Sequence, residues 1–222
     1  MEKMSYVVKR ASAAADIRGE WDGECWKNAN IFSPENILED PAVKKTYIPK
    51  AECKMLYDDA AIYVHWKVLD KYVQAVAKRD QAQVCRDSCA EFFVQPQGME
   101  KYFNFEMSCN GRLLLYKIVH LRSGDFEKIP LRELAKIKRY HTLPDKVYPE
   151  VEDEVLWRIC YRIPLDFFVK YANIDPKLSG QVWRGNISVC ADHSSHLRWL
   201  TWCKLPIFDF HYPAAFGDII FE

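Results

Sequence analysis

Short blocks in which apolar and polar side chains alternate limit the folds open to this chain more than any other feature. In Ile62-Tyr63-Val64-His65-Trp66-Lys67-Val68, the residues Ile62, Val64, Trp66 and Val68 fall on one side of an extended backbone. Tyr63, His65 and Lys67 fall on the other, so one face is expected to be buried and the other at least partly wet. Residues 53–57 form a similar block, and Asp58-Asp59 between the two reads as a hairpin turn. Further blocks occupy residues 90–94, 102–108, 112–118, 155–163, 181–190, 197–203 and 218–221, with Asn110-Gly111 as a second hairpin turn. Many short strands divided by turn signals predict an all-β fold, an antiparallel β-sandwich with short helices only in its connections. Those helical pieces are expected at 131–138 and at 165–172, where Pro164 suits a helix start. Residues 33–49 read as a long connection with a helical turn after Pro34, and residues 140–154 as a loop. A length of 222 residues without an internal repeat fits one domain over residues 1–222.

The charge pattern narrows the partners. Thirty-one basic and 31 acidic side chains balance, which disfavours nucleic acid and anionic membrane, since both require a basic surplus. No apolar run is long enough to span a bilayer. The first ten residues lack the apolar core of a secretion signal, so a cytoplasmic location is expected for the chain as written. An extracytoplasmic one is expected if a leader has been trimmed. The eight cysteines contain no CxxC pair, and most lie in or beside apolar runs, so reduced buried thiols are preferred over disulfides or a zinc ribbon. No nucleophile elbow, HExxH helix or phosphate-binding glycine loop is present, and no cofactor is expected. Asp192-His193-Ser194-Ser195-His196 offers metal-binding residue types but reads better as a polar turn between strands.

Two places point to ligand binding. Glu91 is the one charge in an aromatic strand segment, so it must meet a donor or face a ligand. Towards the carboxyl end, Trp199 and Trp202 are three apart and point oppositely in a strand, so one is core and the other is exposed or in a groove. The stretch Phe208-Asp209-Phe210-His211-Tyr212 adds rings and hydrogen-bonding groups. Rings left open to water suit the flat apolar faces of sugars, with polar side chains taking the hydroxyls.

The order of these segments resembles that of the carbohydrate-binding module family 9-like domains. The resemblance rests on Gly19-Glu20-Trp21-Asp22 with Trp26, on Leu56-Tyr57-Asp58-Asp59 through Val64, and on Asp70. It continues through Asp87-Ser88-Cys89-Ala90-Glu91-Phe92-Phe93, Tyr102 to Glu106 with Asn110-Gly111, Trp183-Arg184-Gly185-Asn186, Thr201-Trp202 and the stretch from Phe210 to Gly217. It implies a jelly-roll-like sandwich and non-catalytic binding of an oligo- or polysaccharide, often beside a glycoside hydrolase and linked to glycan catabolism. It also implies a sugar held between two Trp rings, with acidic, amide and Arg groups on its hydroxyls. Aligned on Glu91, the first ring position falls near Cys85, the second falls at Phe210, and Glu106 stands where an Arg is expected. The resulting candidate ligand-binding residues are Glu91, Phe210, His211, Asn186 and Trp202. Structural calcium occurs in some members, but no loop here has enough spaced carboxylates to assign it.

Two other readings stand beside this one. Related sandwiches can hold haem between His and Met, for which His65, His120 and Met107 are candidates. A glycoside hydrolase would need two carboxyl groups on either side of the scissile bond.

Overall fold

The computed structural model describes residues 3–40, 43 and 47–222. In chain order the strands are β1 (Ser5–Arg10), β2 (Ile31–Phe32), β3 (Asn36–Ile37), β4 (Lys50–Tyr57), β5 (Ala61–Asp70) and β6 (Val73–Ala75). They continue as β7 (Cys89–Gln95), β8 (Tyr102–Ser108), β9 (Leu113–His120), β10 (Asp125–Lys128), β11 (Lys138–His141) and β12 (Val147–Val151). The last four are β13 (Val155–Pro164), β14 (Val182–Cys190), β15 (Trp199–Thr201) and β16 (Gly217–Phe221). Two short helices, α1 (Leu131–Leu134) and α2 (Leu165–Ala172), lie in connections. No helix among the described residues is long and apolar enough to cross a membrane.

The strands form a β-sandwich. A front sheet runs β10-β9-β8-β7-β14-β16, and a back sheet runs β4-β5-β13-β11. β1 joins them: its first four residues pair with β16 and its last two pair with β4, both in parallel. All other pairings among the described strands are antiparallel. Alternation fills the space between the layers. Ile62, Val64, Trp66 and Val68 of β5 meet Phe92, Phe105, Leu115 and Ile187 of the front sheet in one buried cluster. The Asp58 turn is as expected, with its Oδ1 accepting from the Ala60 and Ala61 amides at 2.8 Å. Gly111 takes φ of +79° in the second hairpin, where a Cβ would also strike the His141 ring at 2.6 Å.

Four sequence expectations are corrected. Of Tyr63, His65 and Lys67 on the outer face of β5, only Lys67 is partly wet: Tyr63 and His65 are buried, with Trp21 and Trp26 edge-on against the His65 ring at 5.2 and 4.8 Å. The turn after Pro34 is not helical but the short strand β3, held by pairing to β15; residues 41, 42 and 44–46 of that connection lie outside the described ones. The helix expected at 131–138 ends at Leu134, because Lys138–His141 is recruited as an edge strand on β13 and Arg139 forks onto Asp80 at 2.7 and 2.9 Å. The loop at 140–154 contains β12, which pairs with β6. In the last two cases strand pairing outweighs local preference.

A buried ion pair links the layers at the end of β5. Arg198 and Asp70 are both fully buried, 2.6 Å apart, and Arg198 Nη2 also donates to Ser88 Oγ at 3.1 Å. Replacing Arg198 with Ala strands the Asp70 carboxyl. The expected loss is about 3–5 kcal/mol, or a thermal midpoint lower by roughly 10 °C, read by calorimetric or denaturant unfolding. A loss below about 1 kcal/mol would place the pair among interactions of surface strength.

Candidate functional site

The outward face of the front sheet carries a cleft of about 540 Å³. The alternation that sends Ala90, Phe92 and Val94 inward turns Glu91 outward onto its floor, beside Glu106, its register partner on β8. Asn104, Leu114, Tyr116 and Cys190 complete the floor. Loops supply the walls. They bring Cys85, Arg86, Asp192, His193, Arg122 and the stretch from Phe208 to His211. Trp199 closes the rim, with its Nε1 donating to Asp192 Oδ1 at 2.7 Å and its ring edge-on to Phe208 at 4.9 Å. Six of the seven tryptophans are buried, and Trp199 is the one that is not.

The ring-bearing loop is fastened at its centre. Arg122 holds Asp209 through two hydrogen bonds of 2.8 and 2.7 Å, and Asp209 Oδ1 accepts from the His211 amide at 3.0 Å. This presents Phe208, which is 47% exposed, and the half-buried Phe210 to the cleft. His211 stacks on Phe93 at 4.8 Å and its Nδ1 is hydrogen-bonded to the Tyr102 hydroxyl at 2.9 Å. Burial pushes the imidazole down to about 4, so it is neutral at physiological pH.

The two floor carboxyl groups are electrostatically costly. Ser188 and Cys190 donate to Glu91 at 2.6 and 3.2 Å, and the Asn104 amide donates to Glu106 Oε1 at 2.6 Å. No Lys or Arg forms an ion pair with either among the described residues. Burial therefore pushes Glu91 up to about 7, and burial together with the neighbouring Glu91 charge pushes Glu106 well above the ordinary carboxyl range.

The structure brings Glu91, Phe210 and His211 together in the cleft but not Asn186 or Trp202. Asn186 is buried with its Oδ1 accepting from the backbone amides of Ile187 and Cys203. Trp202 is 4% exposed, packed edge-on to Phe32 and lying on Gly217, where a Cβ would sit 2.8 Å from the indole. Sequence reasoning took Trp202 rather than Trp199 as the groove-facing member of its pair, and singled out the 208–212 stretch without carrying Phe208 and Asp209 into the candidate residues. Their signal was the aromatic-polar alternation of 208–212. The proposed haem ligands are not gathered: His65 lies on the outer face of the back sheet, Met107 in the interlayer core, and His120 is exposed.

Metal ligation was tested on the same residues. Cys89, Glu91 and Cys190 are the one grouping of three candidate side-chain ligands among the described residues, with ligand atoms within 4.8 Å of one another. Two thiols are poor donors for calcium, which takes oxygen, so this cluster does not fit that ion. In the Asp192 to His196 turn, Asp192 is engaged by Trp199 while His196 stacks on Tyr72, and the two do not converge.

Glu91 has a testable linkage. Its carboxyl shifts from an ordinary 4.5 to about 7, so the native protein keeps a proton that the unfolded chain has lost, and its contribution to stability falls as pH rises through that window. His211, shifted from 6.5 to about 4, contributes in the opposite sense. The informative quantity is therefore the difference between Glu91→Gln and the parent protein. The variant's relative stability should improve between about pH 5 and pH 8 in urea unfolding. A difference that stays constant with pH would mean that Glu91 titrates as it does in the unfolded chain.

Comparison with known proteins fits this geometry. The model of carbohydrate-binding family 9 matches residues 35–221. A crystal structure from Bacteroides uniformis, described as a candidate carbohydrate-binding protein, is 28% identical with a TM-score of 0.87, covering 100% of both chains. A family 9 carbohydrate-binding module from Caldicellulosiruptor kristjanssonii in complex with glucose is 15% identical with a TM-score of 0.65, covering 99% of this chain and 96% of its own. The same organism's module in complex with cellotriose gives 16% identity and a TM-score of 0.64, over 99% and 94%. No curated protein matches the sequence. With its family model matched over all but the first 34 residues and the last one, this chain belongs to carbohydrate-binding family 9.

Proposed function

We propose that this domain binds a saccharide in the front-sheet cleft without breaking it. One observation carries the reading: the one tryptophan not buried in the interior rims a cleft whose floor is made of buried polar groups, with Phe208 and Phe210 beside it. Rings stack on the apolar faces of a pyranose, and floor groups meet its hydroxyls. Family membership and the sugar-bound structural neighbours support the same ligand class. A cleft of this size holds about one or two sugar rings, so the ligand is an oligosaccharide or a chain end, bound at micromolar to millimolar Kd, as an order of magnitude. The natural setting is glycan catabolism in company with a glycoside hydrolase, and family membership is the support for that. Binding is favoured over hydrolysis because Glu91 and Glu106 sit side by side on one floor, whereas a glycosidase places its two carboxyl groups on either side of the bond.

Calorimetry against glucose, cello-, xylo- and host-type oligosaccharides tests the reading. Phe210→Ala and Trp199→Ala should each weaken the best ligand about tenfold, the loss of one stacking face. Trp202→Phe should lower the thermal midpoint and leave affinity unchanged. Absence of binding across every set would overturn the reading.

A further inference from the structure

We infer that the cleft prefers saccharides bearing a free amine, hexosamines and their non-acetylated oligomers, over neutral sugars of the same shape, with Glu106 and Glu91 as the seat of the ammonium. This rests on the saccharide reading and narrows its ligand class. The lining carries four carboxyl groups, Glu91, Glu106, Asp192 and Asp209, against two guanidinium groups, Arg86 and Arg122. Arg122 is already committed to Asp209 by its two hydrogen bonds. Of the basic groups around Glu106, His211 has its Nε2 3.9 Å away on a ring that burial holds neutral, and Arg122 acts on the carboxyl without forming an ion pair with it among the described residues.

Glu106 is 5% exposed, and its one donor is the Asn104 amide on Oε1. Its second oxygen has no protein donor among the described residues, and the side chain lines the cleft. That second oxygen faces the open cleft rather than the protein interior, so a ligand seated there can donate to it. Sugar hydroxyls can donate but bring no charge. An ammonium brings three donors and a positive charge, which answers both the open oxygen and the cost of ionising two neighbouring buried carboxyl groups. The surrounding Trp199, Phe208 and Tyr116 rings are compatible with such a cation, since aromatic faces attract it. An apolar or anionic ligand would leave that oxygen without a donor or add to that cost.

The experiment uses the full chain and isothermal calorimetry at near-neutral pH. The probes are glucosamine and its β-1,4-linked dimer, their N-acetylated counterparts, and glucose and cellobiose. The amine-bearing sugar should bind at least about tenfold tighter than its neutral counterpart, and N-acetylation should remove the preference. In Glu106→Gln the ratio between amine and neutral sugar should fall towards one, with urea unfolding confirming that the variant is folded. Glu91→Gln provides a second variant in which the ratio should also fall. Neutral sugars bound as tightly as amines by the parent protein would overturn this inference and leave the saccharide reading standing. A preference that survives both substitutions would overturn the assigned seat. No binding of any sugar would overturn both readings.

Discussion

The Arg198–Asp70 pair is the interaction on which the site's geometry depends. It lies where the end of β5 meets the loop before β15, so it ties the back sheet to the wall of the front-sheet cleft. Burial raises the Asp70 carboxyl even against its cation, which shows how dry the junction is. Such a pair adds little net stability over an apolar equivalent, but its directional bonds fix one arrangement. Arg198 Nη1 also donates to Ser194 Oγ and the His196 carbonyl, both at 3.1 Å, which folds the polar turn back on itself. The residues on either side of that turn are Asp192 and Trp199, one holding the other at the rim. A turn that offers metal-binding residue types thus serves to aim an indole.

The two sheets bear opposite fates for their outer faces. On the back sheet the segment carrying Trp21 and Trp26 covers β5, and Lys54 and Lys67 lie over the Trp21 ring at 4.5 and 4.6 Å. His65 beneath has neither ring nitrogen paired, and burial drives it down to about 3, so it is a neutral filler of an aromatic box. The front sheet has no comparable cover over Glu91 and Glu106; its loops stand up as walls instead. A buried carboxyl pair is tolerable beneath an open cleft, where groups from outside can supply donors, and wasteful in a closed core.

Much of this was legible in the sequence because alternation is a local property. The β4–β5 hairpin, the Asn110-Gly111 turn and the inward row of β5 follow from spacing alone. Glu91 announced itself as a charge among aromatics. What alternation cannot say is which face receives a lid, and there the reading failed. Trp202 and Trp199 were correctly divided between core and groove, but their assignment depends on Phe32 and Gly217 packing against one of them from distant parts of the chain. Asn186 has the amide of a sugar ligand, yet its carbonyl is spent on two backbone amides, one of them seventeen residues away. Glu106 drew notice only as a replacement for an expected Arg; its meaning appeared once register set it opposite Glu91.

Composition can also conceal a site. A formal charge of zero argues against polyanions as the main partner but averages over the whole surface. Within the cleft the balance is acidic: Arg122, one of its two guanidinium groups, is engaged with Asp209, while Arg139 and Arg198 are paired outside it with Asp80 and Asp70. The Arg122–Asp209 and Arg198–Asp70 pairs fix loops at the cleft walls, and Arg139–Asp80 holds the edge strand of the back sheet. The floor is left with carboxyl groups that the fold itself does not neutralise. That division, cations for scaffolding and acids on the floor, gives an acidic cleft to a chain that as a whole is neutral.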